Sequence, residues 1–274
     1  MSVLTTDLGS HLALVTGASG GIGKATCLAL AELGCSIAAH YYSNSDAANA
    51  LVDQLKAKGV KAQAFQADLS NYDEVRKLHS SVSSSLGAPT ILFNNAGSTL
   101  SKHGLRSASD ISIEDFELTW RSNCGSAFLL TQLCLPDMEK AGWGRVIFCS
   151  SVAGLNGGVV GPHYAYAPDF LLLTSSEDAR LNLRPYRSSK SALHGLVHWL
   201  AGAYAAKGIT VNGVAPALIQ DTAMLPGSND ELAKKLPVGR LGRPEEIAET
   251  VLWMVKTGYV TNKIITVYGG WFAH

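Results

Sequence analysis

Two short stretches of this chain combine residue types and spacings that can do chemistry. Residues 16–23 read TGASGGIG, a glycine-rich turn whose backbone can wrap around a pyrophosphate. Residues 186–190 read YRSSK, which places the phenol of Tyr186 one helical turn from the ammonium of Lys190. A phenol can exchange a proton with a reacting oxygen, and a nearby cation lowers its pKa. Together the two stretches indicate a dinucleotide-dependent enzyme that interconverts a carbonyl and an alcohol.

The composition is typical of a folded protein with a small-molecule partner. The chain has 274 residues, of which 47% are hydrophobic and 16% are charged, enough for a large core. Lys and Arg number 22, and so do Asp and Glu, so no basic field favours nucleic acid or an anionic membrane. No run of about 18 apolar residues predicts a membrane span, and the first residues carry no targeting pattern. We therefore expect no nucleic-acid or membrane partner and a cytoplasmic location.

The cysteines and histidines do not form a metal-binding or disulfide pattern. The five cysteines lie in separate apolar stretches with no CxxC pair, so we expect reduced, buried thiols. His194 and His198 share the spacing of zinc-protease helices, but Gly195 stands where the general-base Glu would be. The sequence therefore predicts no metal site.

Short apolar runs alternate with longer helical patterns along the chain, which predicts a parallel sheet covered by helices on both faces. We expect an α/β fold: a single-domain, doubly wound parallel sheet (Rossmann fold) of about seven strands over residues 1–274. The predicted strands are 12–15, 36–40, 62–66, 91–93, 146–150, 210–214 and 264–267. The predicted helices are 22–33, 46–58, 72–86, 113–140, 188–207 and 244–255.

The glycine-rich turn stands in the context that a phosphate site needs, because it joins the first predicted strand to the first predicted helix. Its glycines permit a tight turn, close approach of the backbone to phosphate and close helix–strand packing. The N–H groups and the dipole at the helix start favour an anion. The expected cradle residues are Gly17, Ser19, Gly21, Ile22 and Gly23. The alternatives are a purely structural turn, or the similar turns of flavin and methyltransferase folds.

The turn resembles the TGxxxGxG signature of the short-chain dehydrogenase/reductase family, and further landmarks of that family follow in order over nearly the whole chain. The resemblance implies an α/β dinucleotide-binding fold. It assigns the adenine ring to Asp68, the adenosine ribose to Asn95 within NNAG (94–97), the catalytic centre to Asn123 and Ser151, and the nicotinamide amide to Ile219 and Thr222. The last two belong to a loop that resembles PGxxxT, in which Ala217 replaces the usual glycine.

The end of the second predicted strand favours NADP over NAD. An acid at this place would bind the ribose 2′-hydroxyl and repel a 2′-phosphate. Here Ser43 and Asn44 can donate hydrogen bonds to a phosphate, and the nearest acid, Asp46, is expected to be the N-cap of the next helix. Against this, Gly20 stands where NADP-dependent relatives often carry a basic residue.

The expected reaction is hydride transfer coupled to proton transfer. Tyr186 would give a proton to the carbonyl oxygen, because Lys190 on the same helix face lowers the pKa of its phenol. Both side chains are also expected to contact the cofactor. As the resemblance implies, Ser151 would hydrogen-bond the substrate oxygen, and Asn123 would hold a water that links Lys190 to solvent.

One segment does not fit the family's spacing, in which about a dozen residues separate the catalytic serine and tyrosine. Tyr186 follows Ser151 by 35 residues, whereas Tyr164 follows it by 13 but has Pro168 four residues on. Deleting residues 166–187 would leave HYASSK, a typical start of this catalytic helix with Tyr164 as the phenol.

Two explanations of residues 166–187 remain open: a translated intron of 66 nucleotides, whose possible codons hold splice-like ends, or a genuine insertion with an irregular chain path. Sequencing the spliced message distinguishes them, since a transcript 66 nucleotides shorter is expected only from the first. In the chain as it stands, Tyr186 is the tyrosine with the required spacing to Lys190.

Within this family, the sequence most resembles the 3-oxoacyl-[acyl-carrier-protein] reductases of fatty acid biosynthesis. This resemblance implies reduction of a ketone or acyl-thioester carbonyl by NADPH. A sugar or polyol dehydrogenase and a catalytically silent dinucleotide-binding homologue are the alternatives. The predicted helices 113–140 and 188–207 would pair between subunits by analogy, as a homotetramer or homodimer. The loops expected around the substrate, 98–112 and 220–237, offer no single anchoring charge.

Overall fold

A seven-stranded parallel sheet forms the centre of the protein. The computed structural model describes residues 4–100, 107–156, 189–225 and 229–271. The strands are β1 (Leu12–Val15), β2 (Ser36–Tyr41), β3 (Ala62–Gln66), β4 (Ile91–Asn94), β5 (Gly144–Cys149), β6 (Ile209–Pro216) and β7 (Ile264–Val267). The α-helices are α1 (Gly21–Ala31), α2 (Ser45–Ala57), α3 (Tyr72–Leu86), α4 (Ile113–Trp120), α5 (Ser126–Ala141), α6 (Ala153–Asn156), α7 (Ser189–Tyr204), α8 (Asp230–Ala233) and α9 (Pro244–Lys256). Short 3₁₀ turns lie at Ala108–Asp110 and Ala205–Lys207.

The strand order is β3-β2-β1-β4-β5-β6-β7, and neighbouring strands are parallel throughout. The chain first builds outward from β1 through β2 to β3, then returns past β1 to start the other half at β4. Connections therefore diverge between β1 and β4, which opens a crevice at the carboxyl ends of these strands. This topology confirms the predicted doubly wound α/β fold.

Two apolar clusters cover the two faces of the sheet. One is built from α1, α2 and α9, with Leu30, Leu55 and Val251 fully buried. The other is built from α3, α5 and α7, with Val75 and Leu130 fully buried. The central strands face both clusters, which explains their continuous apolar sequences. The five cysteines all lie in the described ranges, where each is buried and none is in a disulfide.

The predicted helix 113–140 is wrong as one regular helix. A π-helical turn, Arg121–Gly125, separates α4 from α5 and carries Asn123. Such a turn holds an extra residue in the helical path, which a pattern of apolar spacing does not reveal. It packs tightly, since a Cβ added at Gly125 would lie 2.0 Å from the Tyr72 hydroxyl.

In the parts of the chain that the structure describes, no helix has the length and apolarity needed to cross a bilayer.

Several element ends also differ from those predicted. The predicted strand 146–150 is displaced: β5 runs from Gly144 to Cys149, which leaves Ser150 beyond its end. β6 extends to Pro216, because its backbone continues to pair with β7 there. The predicted helix 188–207 is described from Ser189 and tightens into a 3₁₀ turn after Tyr204.

The last glycine of the turn, Gly23, is required by packing. A Cβ at Gly23 would lie 2.3 Å from the Gly17 carbonyl oxygen and 2.8 Å from the Ala18 Cα, both backbone atoms. We expect Gly23→Ala to lower the free energy of unfolding by about 3 kcal/mol or more, measured by chemical denaturation. Gly20→Ala is the matched control, since its Cβ would lie 3.4 Å from the same oxygen and the cost should stay below about 1 kcal/mol. Equal losses in the two variants would contradict this explanation.

Candidate active site

The residues proposed from sequence gather along one edge of the sheet, at the carboxyl ends of the strands. The loops after β1 to β6 supply, in order, Gly17 and Ser19, Ser43 and Asn44, Asp68, Asn95, Ser151, and Ile219 and Thr222, and the first turn of α1 supplies Gly21 to Gly23. Asn123 comes from the π turn and Lys190 from the first turn of α7. Tyr186 and Tyr164 lie outside the described residues.

A threonine hydroxyl joins the two halves of the sheet at the crevice. Thr16 Oγ1 accepts hydrogen bonds from the backbone N–H groups of Asn95 and Ala96, both at 2.9 Å. The Asn95 side chain returns the contact, because its Nδ2 donates to the Thr16 carbonyl oxygen at 2.8 Å. These hydrogen bonds hold the turn after β1 against the loop after β4, and the Asn95 side chain is part of that connection. Sequence reasoning treated Thr16 only as the first letter of a motif.

The start of α1 fits an anionic group. Its N-cap, Gly20, supplies no side-chain hydrogen bond, and no acidic residue lies in the first helical turn. The N–H groups at a helix start carry a partial positive charge that a capping side chain or an anion can satisfy. Gly20 is exposed, and Ser19 and Gly21 are partly exposed. The residues present thus fit the pyrophosphate of a dinucleotide.

The loop after β6 packs directly on this turn. A Cβ at Gly21 would lie 2.3 Å from the carbonyl oxygen of Asp221, whose own φ of 56° is left-handed and uncommon for a residue other than glycine. Thr222 Oγ1 donates to the Ile219 carbonyl oxygen at 3.0 Å. The Ile219 side chain is buried and lies against Gly242.

The loop after β2 differs from the sequence prediction in one detail. The N-cap of α2 is Asn44, whose Oδ1 accepts from Ala47 N at 3.1 Å, so the prediction that Asp46 is the N-cap is wrong. Asp46 is the second residue of α2, where its negative charge interacts favourably with the helix dipole. Ser43 and Asn44 are exposed, and the hydroxyl of Ser43 and the Nδ2 of Asn44 are donors of the type that a phosphate accepts.

Asp68 is a half-buried carboxylate at the end of β3. Its Oδ1 accepts from Ser70 N at 2.9 Å and from Ser70 Oγ at 2.8 Å. Its backbone N–H donates to Glu74 Oε2 at 2.6 Å. These bonds hold the side chain in one orientation beside the loop after β2.

The ammonium of Lys190 is buried between the end of β5, the loop after β4 and the π turn. The residue is 2% exposed, and its Nζ donates to the Cys149 carbonyl oxygen at 2.7 Å. A Cβ added at Gly97 would lie 3.1 Å from this Nζ and 3.4 Å from Asn123 Oδ1, so the three groups border one space. Burial disfavours the charged form and lowers the pKa of Lys190, while the neighbouring Cys149 and Cys124 thiols oppose that shift.

Asn123 links three parts of the site through its side-chain amide. Its Nδ2 donates to the Ser98 carbonyl oxygen at 2.9 Å and to Ser189 Oγ at 3.3 Å. Its Oδ1 accepts from Ser98 N at 2.7 Å. The π turn thereby ties the loop after β4 to the start of α7, and the residue is 1% exposed.

The end of β5 presents a serine to the crevice. Ser151 is partly exposed, and its Oγ accepts from Ala153 N at 3.1 Å. With a lone pair engaged by the backbone, the hydroxyl can direct its proton to an oxygen in the crevice.

A neighbouring serine–histidine pair was not anticipated from the sequence. Ser150 Oγ donates to the Lys190 carbonyl oxygen at 3.0 Å and lies 2.7 Å from His194 Nε2. Since the hydroxyl proton is used toward the carbonyl, His194 must donate through Nε2. Burial, together with the charges of His198 and Lys190, lowers the pKa of His194 to about 4, which keeps the ring neutral. The pair holds α7 against the end of β5.

No cluster of three or more metal-ligating side chains occurs among the residues that the structure describes. His194 is committed to Ser150, and His198 is exposed with its Nδ1 2.5 Å from Asn262 Oδ1. The two histidines thus serve separate contacts.

Comparisons with known proteins cover almost the whole chain. Residues 11–167 match the family described as short chain dehydrogenase, and residues 170–272 match the one described as Enoyl-(Acyl carrier protein) reductase. A 3-oxoacyl-[acyl-carrier-protein] reductase of Synechocystis sp. is 34% identical over 269 residues, which cover 97% of this chain and 98% of the relative. The 7alpha-hydroxysteroid dehydrogenase of Escherichia coli K12 is 32% identical over 269 residues, with coverages of 96% and 94%.

A solved structure adds a comparison in three dimensions. It is described as a blue fluorescent protein from a metagenomic library in complex with NADPH, and it matches with a TM-score of 0.80 and 32% identity. The alignment covers 97% of this chain and 100% of that one. The profile that matches residues 11–167 spans more than half of the chain, and the sheet has the topology of this fold. The chain belongs to the short-chain dehydrogenase/reductase family of oxidoreductases.

Proposed function

We propose that the protein reduces a ketone or 3-oxoacyl carbonyl to an alcohol with NADPH as the hydride donor. The observation that carries the proposal is the buried Lys190 ammonium, held by the Cys149 carbonyl and bordered by Gly97 and Asn123. A cation is costly to bury, so a buried ammonium at the carboxyl edge of the sheet indicates a chemical role. Tyr186, four residues before it, is the proposed proton donor.

The cofactor would lie across the carboxyl edge of the sheet. The family uses NAD(P), and a structural neighbour contains NADPH. The turn after β1 and the start of α1 would hold the pyrophosphate, Asp68 and Asn95 the adenosine side, and Ile219 and Thr222 the nicotinamide side. Ser43 and Asn44 support NADP over NAD, because the loop after β2 offers donors and places its nearest carboxylate, Asp46, inside α2. When bound, the cofactor supplies the hydride for the carbonyl carbon.

The chain's own residues would handle the proton. A free phenol has a pKa of about 10 and exchanges protons poorly at neutral pH. An ammonium in a buried setting acts on a nearby phenol with little screening by water, so it favours the phenolate strongly. Lys190 would thus bring Tyr186 into the working range, and Tyr186 would give its proton to the substrate oxygen. Asn123 is proposed to position the water that returns a proton to Lys190.

Ser151 would stabilise the charge that develops on the substrate oxygen. Its backbone-anchored hydroxyl is already oriented by Ala153 N, so little reorganisation is needed when the oxygen becomes negative. The relatives named above, an acyl-carrier-protein reductase and a hydroxysteroid dehydrogenase, support a carbonyl compound as the substrate. An acyl thioester is the substrate class we propose.

We also propose that the chain is a single domain, that it is cytoplasmic and that it assembles as a homotetramer or homodimer.

The first test is binding and turnover of the wild-type protein. We expect fluorescence titration to give tighter binding of NADPH than of NADH, since the loop after β2 suits a 2′-phosphate. We expect NADPH oxidation with an acetoacetyl thioester to exceed that with quinone or sugar ketone substrates. Binding of NADPH without turnover of any substrate would instead support the catalytically silent alternative. Faster oxidation of a polyol than reduction of the thioester would support the sugar dehydrogenase alternative.

Lys190→Met tests the buried ammonium. We expect kcat to fall by about 10²- to 10⁴-fold, the usual contribution of an acid–base group, with the fold retained by circular dichroism. In the alcohol-oxidation direction, residual activity should need a higher pH, because a phenol without the cation has a higher pKa. Lys58→Met, which removes a surface lysine paired with Glu32 at the end of α2, is the matched control and should change neither quantity. An unchanged pH profile in the Lys190 variant would contradict the proton relay.

Tyr186→Phe and Tyr164→Phe decide which phenol reacts. Removing one hydroxyl preserves the ring, so the loss of turnover reports the proton transfer itself. We expect Tyr186→Phe to lower kcat by at least about 10²-fold and Tyr164→Phe to retain most of it, measured with the best substrate of the panel. The reverse pattern would move the catalytic role to Tyr164.

A further inference from the structure

A buried histidine at the end of β2 makes two contacts that the proposed chemistry does not use. His40 is 2% exposed. Its Nδ1 lies 3.1 Å from the backbone nitrogen of Gly17, and its Nε2 lies 3.1 Å from the carbonyl oxygen of Ala67. The ring therefore spans the gap between the turn after β1 and the loop after β3.

These two partners define the state of the ring. The N–H of Gly17 can only donate, so Nδ1 must carry a lone pair, and the carbonyl of Ala67 can only accept, so Nε2 must carry the proton. His40 is thus neutral and in the Nε2–H tautomer. Burial lowers its pKa to about 4, although the bond to Ala67 opposes the shift. The contact is therefore stable throughout the neutral pH range.

Both partners lie next to residues proposed to hold the dinucleotide. Gly17 is the first glycine of the turn and has a left-handed φ of 64°, and Ala67 immediately precedes Asp68. The backbone of His40 also contributes, since its carbonyl oxygen accepts from Ala18 N at 2.8 Å. One residue thus contacts the pyrophosphate side and the adenine side of the proposed binding crevice.

We propose that His40 is a positioning residue for the dinucleotide, which sets the Gly17 turn through Nδ1 while Nε2 secures the loop that carries Asp68. This inference rests on the proposed function. The Gly17 N–H is directed into the protein, so the pyrophosphate must be held by later N–H groups of the turn and of α1. Without the Nδ1 acceptor, the turn would sample other conformations, and binding would have to bear the cost of ordering it.

Two substitutions separate the two ring contacts. An asparagine places Oδ1 where His40 has Nδ1, so His40→Asn keeps the acceptor for Gly17 and loses the donor to Ala67. A glutamine can reach with its Nε2 to the place of the histidine Nε2, so His40→Gln keeps the donor and loses the acceptor. Each variant loses one buried hydrogen bond, and we expect similar decreases in melting temperature.

Binding distinguishes positioning from a purely structural role. We expect His40→Gln to raise the Kd for NADPH by about 10- to 100-fold and His40→Asn by less than about threefold, measured by fluorescence titration. In turnover, the KM for NADPH should rise with the Kd of His40→Gln, while kcat at saturating NADPH should change far less. Equal increases of Kd in both variants would overturn the proposal.

A measurement without nucleotide tests the contact by itself. Hydrogen exchange of the Gly17 amide should accelerate in His40→Gln and remain near the wild-type rate in His40→Asn. Unchanged exchange in His40→Gln would refute the role of His40, whatever the nucleotide data show. Wild-type protein that binds neither NADPH nor NADH would refute the proposed function, and the exchange experiment would still decide the His40 contact.

Discussion

The burial of one ammonium group is the constraint on which the arrangement of the crevice depends. Lys190 is almost wholly withdrawn from water, so its charge needs acceptors that the protein must bring to it. The Cys149 carbonyl can serve only because β5 ends there and α7 starts against it. Ser150 with His194, and Ser191 donating to the Gly154 carbonyl at 2.6 Å, keep these elements together. The helix start, the strand end and the π turn therefore depend on one another.

The two halves of the sheet divide the work of the site. The β1–β3 half carries the turn, Asp68 and the histidine that lies between them, so it is suited to a nucleotide. The β4–β6 half carries Lys190, Asn123 and Ser151, so it is suited to proton transfer. The Thr16 hydroxyl connects the two halves by accepting hydrogen bonds from the backbone N–H groups of Asn95 and Ala96. These bonds fix the distance between the halves before any ligand binds.

Much of the fold could be predicted from sequence, because the strands and helices follow from local patterns of residues. The bounds of β1, β3, β7 and α3 match their predictions residue for residue, since turn residues on both sides delimit each of them. The contacts that organise the site could not be predicted, because they join residues far apart in the chain. Thr16 and Asn95 are 79 residues apart, and Ser150 and His194 are 44 apart. The choice of Asn44 over Asp46 as N-cap depends on a difference of two residues in where the helix starts, and both side chains are suitable caps.

The π turn shows that a locally less regular backbone can be the only one compatible with the site. Removing one residue from Arg121–Gly125 would let α4 and α5 merge into a continuous α-helix. It would also rotate everything before the deletion by about 100° around the helix axis relative to α5. Either Asn123 would then point away from Ser98, or α4 would leave its packing position. The number of residues in this turn is therefore fixed by the site. Natural length variation in this helix should occur outside the five-residue turn.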